Sequence, residues 1–137
     1  MNNMNTDKIV AIAHYALALV FLFLPIASFG TGFFSISLSG WDILRVVGLN
    51  IFWLYPLLVI AGLVLLFVDV AALKAHKDSI QRFIPGFLLG LMAWELVSVL
   101  FEPLISPGIG LWLALLLHGA FVAYLNVPAV RNLVNKG

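Results

Sequence analysis

The sequence predicts an all-α membrane protein: four transmembrane helices in an antiparallel bundle, both termini cytoplasmic, with a short interfacial helix in the first outer loop. Three observations lead there. Hydrophobic residues make up 64% of the 137 and charged residues 9%, against about 45–50% and about 25% in soluble domains. Four apolar stretches, 9–29, 51–73, 83–101 and 109–127, each approach the roughly 20 helical residues that a bilayer core requires. Lys8, Lys74, Lys77, Arg82, Arg131 and Lys136 fall on one side of such a chain and only Arg45 on the other. Positive residues resist translocation, so the side with the larger number is cytoplasmic. The whole chain, 1–137, reads as one transmembrane domain.

The first stretch follows Asp7 and Lys8, a weak positive start, and its apolar run is longer than the 7–15 residues of a signal peptide. An uncleaved span is therefore expected. Between 30 and 50 lies the only sizeable loop. Its Ser35-Ile36-Ser37-Leu38-Ser39 alternates polar and apolar side chains, the period of an extended segment. Ser39 followed by Asp42 three residues on has the form of a capping box. The helix it starts would run to about Gly48, with Trp41, Leu44, Val47 and Gly48 on one side and Asp42 and Arg45 facing away. Anchored by Trp41, this helix would lie on the outer leaflet. A lid or docking surface over the bundle is the sharper alternative.

The second stretch opens with Trp53 and Tyr55 and the fourth with Trp112, all expected at the outer interface; Tyr15 and Tyr124 are expected at the inner one. The loop 74–82 is short and charged. Pro85 fits the first turn of the third helix, where its missing N–H costs nothing. Pro103 and Pro107 bracket the turn 102–108, which makes the third and fourth helices neighbours, and Pro128 marks the end of the fourth.

Ionisable groups inside a span are costly and each is a functional hypothesis. His14, Asp69, Glu95 and His118 qualify. Counting about 1.5 Å per residue from the inner ends, His14 and Asp69 share a shallow cytoplasmic layer, while Glu95 and His118 lie deeper and within roughly 5 Å of each other. Asp69 with His14, and Glu95 with His118, are therefore the expected pairs. The shallow pair also has a bland reading, snorkelling to water and headgroups near Lys74 and His76. Glu95, Ser98 and Glu102 form one stripe from mid-membrane to the outer mouth. The opposite face carries Gly86, Gly90 and Ala93, the small-residue spacing that permits close helix approach, and Gly119, Ala123 and Asn126 repeat the theme on the fourth helix.

Several function classes fall away. Absence of cysteine excludes disulfides, thiol redox chemistry and thiolate metal sites. A net charge of +1 with no basic run argues against nucleic acid. No catalytic constellation is present, so no enzyme, metal site or cofactor is expected; a haem between His14 and His118 is disfavoured by their depth offset of about 6 Å. The leading expectation is a non-enzymatic protein of the bacterial plasma membrane whose partners are the lipid bilayer and either further copies of itself or another membrane protein. The alternative is a proton-coupled transporter or ion-conducting pore centred on Glu95.

Overall fold

The computed structural model describes residues 3–31, 34–46, 51–68 and 71–136. Six α-helices and a small three-stranded sheet make up the described chain. Two helical segments, Ala71–Leu100 and Ile109–Asn126, are long and apolar enough to cross a membrane.

Helix α1 covers Asn3–Phe21. The helix expected to continue to residue 29 instead gives way to strand β1, Pro25–Thr31. Pro25 explains the break: it has no N–H to donate and biases Leu24 away from helical backbone. β1 is the centre of an antiparallel sheet, flanked by β2 (Phe34–Ser39) and β3 (Ile105–Pro107). The polar–apolar alternation seen in the sequence falls on β2. The strand character of 25–31 has no such alternation, because Ile26 and Ala27 are both buried. Gly108 donates to the Ile26 carbonyl at 2.7 Å, and a Cβ there would run into the Pro25 carbonyl. Glycine permits the close approach that joins the start of α5 to β1.

Helix α2, Gly40–Val46, opens on the predicted capping box. Asp42 N–H donates to Ser39 Oγ at 3.2 Å, and the Asp42 carboxylate accepts from the Ser39 N–H at 3.0 Å and from its hydroxyl at 2.9 Å. Leu44 is buried, Trp41 half-buried and Arg45 exposed, as the predicted faces require. Val47 and Gly48 lie outside the described residues. Leu44 packs with Leu22, Ile26 and Phe52 in the main core, and Trp41 N–H donates to Leu22 O at 3.3 Å, so α2 sits against the end of α1.

Helix α3, Leu54–Leu65, is shorter than the stretch 51–73, with a 3-10 turn before it at Ile51–Trp53 and another at Ala71–His76 after it. Helix α4, Lys77–Leu100, begins six residues earlier than expected. Pro85 is therefore inside it rather than in its first turn, where it leaves the Gln81 carbonyl without its intrahelical donor. Helix α5, Ile109–Asn126, matches its predicted bounds. Pro128 ends α5 and also starts an unexpected helix α6, Pro128–Lys136, a favoured position for proline.

Helices α1, α3, α4 and α5 pack as a ring, in which α1 touches α3 and α5 and α4 touches the same two. The core runs through the middle of this ring on a 3–4 spacing. α1 contributes Tyr15, Ala18 and Leu22; α3 contributes Tyr55 and Val59; α4 contributes Leu88 and Met92; α5 contributes Leu111 and Ala114. The sheet and α2 close one end of the ring. A smaller cluster of Ala11, Phe121 and Tyr124, with Val130 of α6 against it, closes the other.

Candidate functional site

The deepest polar groups in the described chain are His14 and His118, 2% and 0% exposed. They touch each other. His14 Nε2 and His118 Nδ1 are 2.7 Å apart, and His118 Nε2 is 2.6 Å from the Tyr55 hydroxyl. Three side chains on three different helices thus form one hydrogen-bonded chain.

The expected layering is corrected here. His14 is the twelfth of 19 residues in α1 and His118 the tenth of 18 in α5, so both are near mid-helix. The error came from counting depth from Ile9: α1 extends back to Asn3, and the 2.7 Å contact brings the two rings to one level. The pairing of Glu95 with His118 does not form. Asp69 lies outside the described residues, and the His14 nitrogen facing the bundle is taken by His118. Tyr55, expected as an outer-interface anchor, is 1% exposed and turns its hydroxyl inward. Direct contact between the two rings also closes the space an iron would need between them.

Aromatic walls hold the chain in place. The His14 ring stacks on Phe121, with centroids 4.1 Å apart and planes at 18°, and meets the edge of Tyr15 at 4.7 Å. Tyr55 stacks on Phe52 at 5.9 Å. Tyr15 in turn lies over Gly62 of α3, where a Cβ would strike its ring. Such walls fix the rotamers and exclude water, which strengthens each hydrogen bond in the chain.

One buried atom is left over. His14 Nδ1 has no hydrogen-bond partner among the described residues. The neutral arrangements of the chain explain why. If Tyr55 donates to His118 Nε2, then His118 Nδ1–H donates to His14 Nε2, and the His14 proton sits on Nδ1. If the direction reverses, His14 Nε2–H donates to His118 Nδ1, His118 Nε2–H donates to the Tyr55 oxygen, and Nδ1 carries a free lone pair. Either way the two bonds within the chain are made; His14 Nδ1 is open in both arrangements, and in the second the Tyr55 hydroxyl hydrogen is open as well.

Beyond the His14 end is a second polar cluster. Asp7 of α1 accepts from the Tyr124 hydroxyl of α5 and forms an ion pair with Arg131 of α6. A cavity of about 620 Å³ opens beside it, and Tyr15 and Phe121, the two rings against His14, line that cavity as well.

The remaining predicted residues stay apart. Glu95 is half-buried with no hydrogen bond or ion pair among the described residues, Ser98 Oγ donates to the Trp94 carbonyl at 2.9 Å, and Glu102 is exposed. Gly86, Gly90 and Gly119 have no other atoms within 4 Å of a would-be Cβ, and Ala93 is exposed; Ala123 is half-buried. The small-residue face of α4 therefore packs on nothing among the described residues. Asp42 is held below the ordinary carboxylate range, first by the Ser39 backbone N–H and then by the Ser39 hydroxyl. No group of three or more metal-ligating side chains occurs among the described residues.

Sequence reasoning missed Tyr55, Tyr15 and Phe121, and the Asp7–Tyr124–Arg131 cluster. A usable signal existed. Leu111, Ala114, His118 and Phe121 recur at 3–4 spacing on α5, and Ala11, His14, Tyr15 and Ala18 do so on α1. That spacing aims both histidines at the core. No protein-family model, curated protein or solved structure matches this chain.

Proposed function

We propose that the protein is a four-span integral membrane protein, with both termini cytoplasmic, that conducts or couples protons through the chain His14–His118–Tyr55. The observation that carries this reading is the buried hydrogen-bonded chain across three helices, with His14 Nδ1 unpartnered among the described residues. Supporting the membrane placement are the two span-length apolar helices and the many large hydrophobics exposed on the helix surfaces, among them Ile9, Val20, Leu57, Phe83, Trp94 and Leu116. The one-sided Lys and Arg distribution supports the orientation.

The chemistry follows from the two arrangements. With the lone pair on His14 Nδ1, a proton arriving there makes an imidazolium, which passes its Nε2 proton to His118 Nδ1. His118 then passes its Nε2 proton to the Tyr55 oxygen as the Tyr55 hydroxyl gives its own proton to a water molecule, the acceptor this reading requires at that end of the chain. One proton enters at His14 and one leaves at Tyr55, and the chain is left in the reversed arrangement. No net charge stays in the core, whose desolvation would otherwise penalise it. Tyr15 and Phe121, which touch the His14 ring, also line the cavity.

Purified protein in liposomes containing a pH-sensitive dye, under an imposed potential, tests this. Wild-type protein should pass protons faster than empty liposomes, His118→Gln should abolish the excess, and Tyr55→Phe should reduce it. Flux no greater than that of empty liposomes would sink the reading, and so would unchanged flux in correctly folded variants.

Self-assembly is the second reading, favoured by the open face of α4 at Gly86 and Gly90. Its measure is mass in mild detergent: a defined multimer supports it, and a clean monomer counts against it.

A further inference from the structure

The cavity beside Asp7 is built for a ligand that the proton chain does not explain. It lies where α1, α4, α5 and α6 meet, at the end carrying most of the chain's positive charge. Among the described residues, Lys8, Lys77, Arg82 and Arg131 line it with two carboxylates, Asp7 and Asp78. Asp7 is already committed, to Arg131 and to the Tyr124 hydroxyl. The surplus charge is therefore cationic. Lys8 Nζ lies 4.8 Å from the centroid of the exposed Phe67 ring, a contact that leaves its charge and its N–H donors open to an anion. Arg82 projects from α4 on the same side as Lys77 and Asp78, with Gln81 beside it in the wall.

The lower wall is different in kind. Ala11, Leu66, Phe121 and Leu125 make it apolar. A site with a cationic rim and an apolar floor, of about 620 Å³, matches an anionic group attached to a hydrophobic body. Arginine forks suit phosphate oxygens, and basic pockets between helices on the cytoplasmic side of a membrane bind phosphate headgroups in this way.

We propose that this cavity binds a phosphate-bearing ligand, with Arg82 and Lys8 holding the phosphate. The chemistry is shared by a phospholipid headgroup of the inner leaflet and by free phosphate from the cytoplasm. The proposal rests on the membrane-spanning orientation above but not on the proton chain, so the two fail separately: proton flux reports on one, ligand-dependent stability on the other.

The test is thermal unfolding of the full chain in detergent, with three probes: dioleoyl phosphatidylglycerol, dioleoyl phosphatidylcholine, and inorganic phosphate. The first two have the same tails and differ in headgroup charge. Phosphatidylglycerol should raise the midpoint by about 5 °C or more relative to phosphatidylcholine. The double variant Lys8→Gln, Arg82→Gln should lose that rise, while Arg45→Gln, on α2 at the far end, should keep it. Both replaced side chains are solvent-exposed, so the double variant is expected to fold. A rise with inorganic phosphate, lost in the same double variant, would assign the site to the free anion. Equal midpoints with all three probes, or a rise that the double variant retains, would overturn the proposal.

Discussion

His118 and Glu95 are both ionisable residues inside long apolar helices, yet the protein treats them in opposite ways. His118 is fully enclosed and bonded on both ring nitrogens to groups from two other helices. Glu95 is half-buried and bonded to nothing among the described residues. The difference lies in their neighbours. Both have buried residues at helical spacing, Ala114 and Phe121 for His118, Leu91, Met92 and Val99 for Glu95; only His118 meets polar groups from other helices, His14 of α1 and Tyr55 of α3. Glu95 lies five residues from the end of α4 and His118 nine from the start of α5, so His118 is also the deeper of the two. A polar residue becomes part of a network when another helix brings a polar partner to it.

Substitutions can break that contrast or sharpen it. His118→Ala should cost the most, about 3 kcal/mol or more, because it opens a cavity and leaves the Tyr55 hydroxyl and a His14 nitrogen buried without partners. Reversible unfolding in mixed micelles would measure it, and a loss below 1 kcal/mol would contradict the buried network. Gly62→Ala should cost about 1–3 kcal/mol, since its methyl group would push Tyr15 off the wall that holds His14. Gly90→Ala is its counterpart: with open space at that position the same change should be neutral or stabilising in the monomer, by up to about 1 kcal/mol of helix propensity. A defined multimer that dissociates on this substitution would show that the open face is occupied by a second copy.

Tyr55→Phe should cost about 1–2 kcal/mol by stranding His118 Nε2. Glu95→Gln should stay within about 0.5 kcal/mol, as surface changes away from a network do. A large loss at Glu95 would mean that it has a partner in the assembled protein, which would erase the contrast with His118.

The smallest effect concerns the α2 cap. The Asp42 carboxyl sits below its ordinary value, so its contribution is present at neutral pH and is lost as the pH falls through its lowered value. Ser39→Ala should move that titration back up towards the ordinary carboxylate range. Carboxyl chemical shifts followed against pH would read it directly, and an unmoved titration would contradict the cap.

What could be read from the sequence was local. The bounds of α5, the Ser39–Asp42 cap and the extended segment at 34–39 all follow from patterns within a few residues. The misreadings came from treating apolar length as helix length. Pro25 ends α1 eight residues before the apolar run does, and the charged 77–82 segment is helical although it is not apolar. α6 escaped notice because Pro128 stops one helix and starts another. The central chain was hidden for a different reason. Which of four polar residues meet depends on where each helix begins, and a six-residue error at the start of α1 was enough to pair His14 with the wrong layer.

The most direct measurement is nitrogen NMR of the protein in lipid bilayers with its histidines labelled. The account predicts a coupling across the hydrogen bond between His14 Nε2 and His118 Nδ1, and a His118 Nε2 signal that shifts in Tyr55→Phe. Two histidines with no mutual coupling and no response to Tyr55→Phe would contradict it.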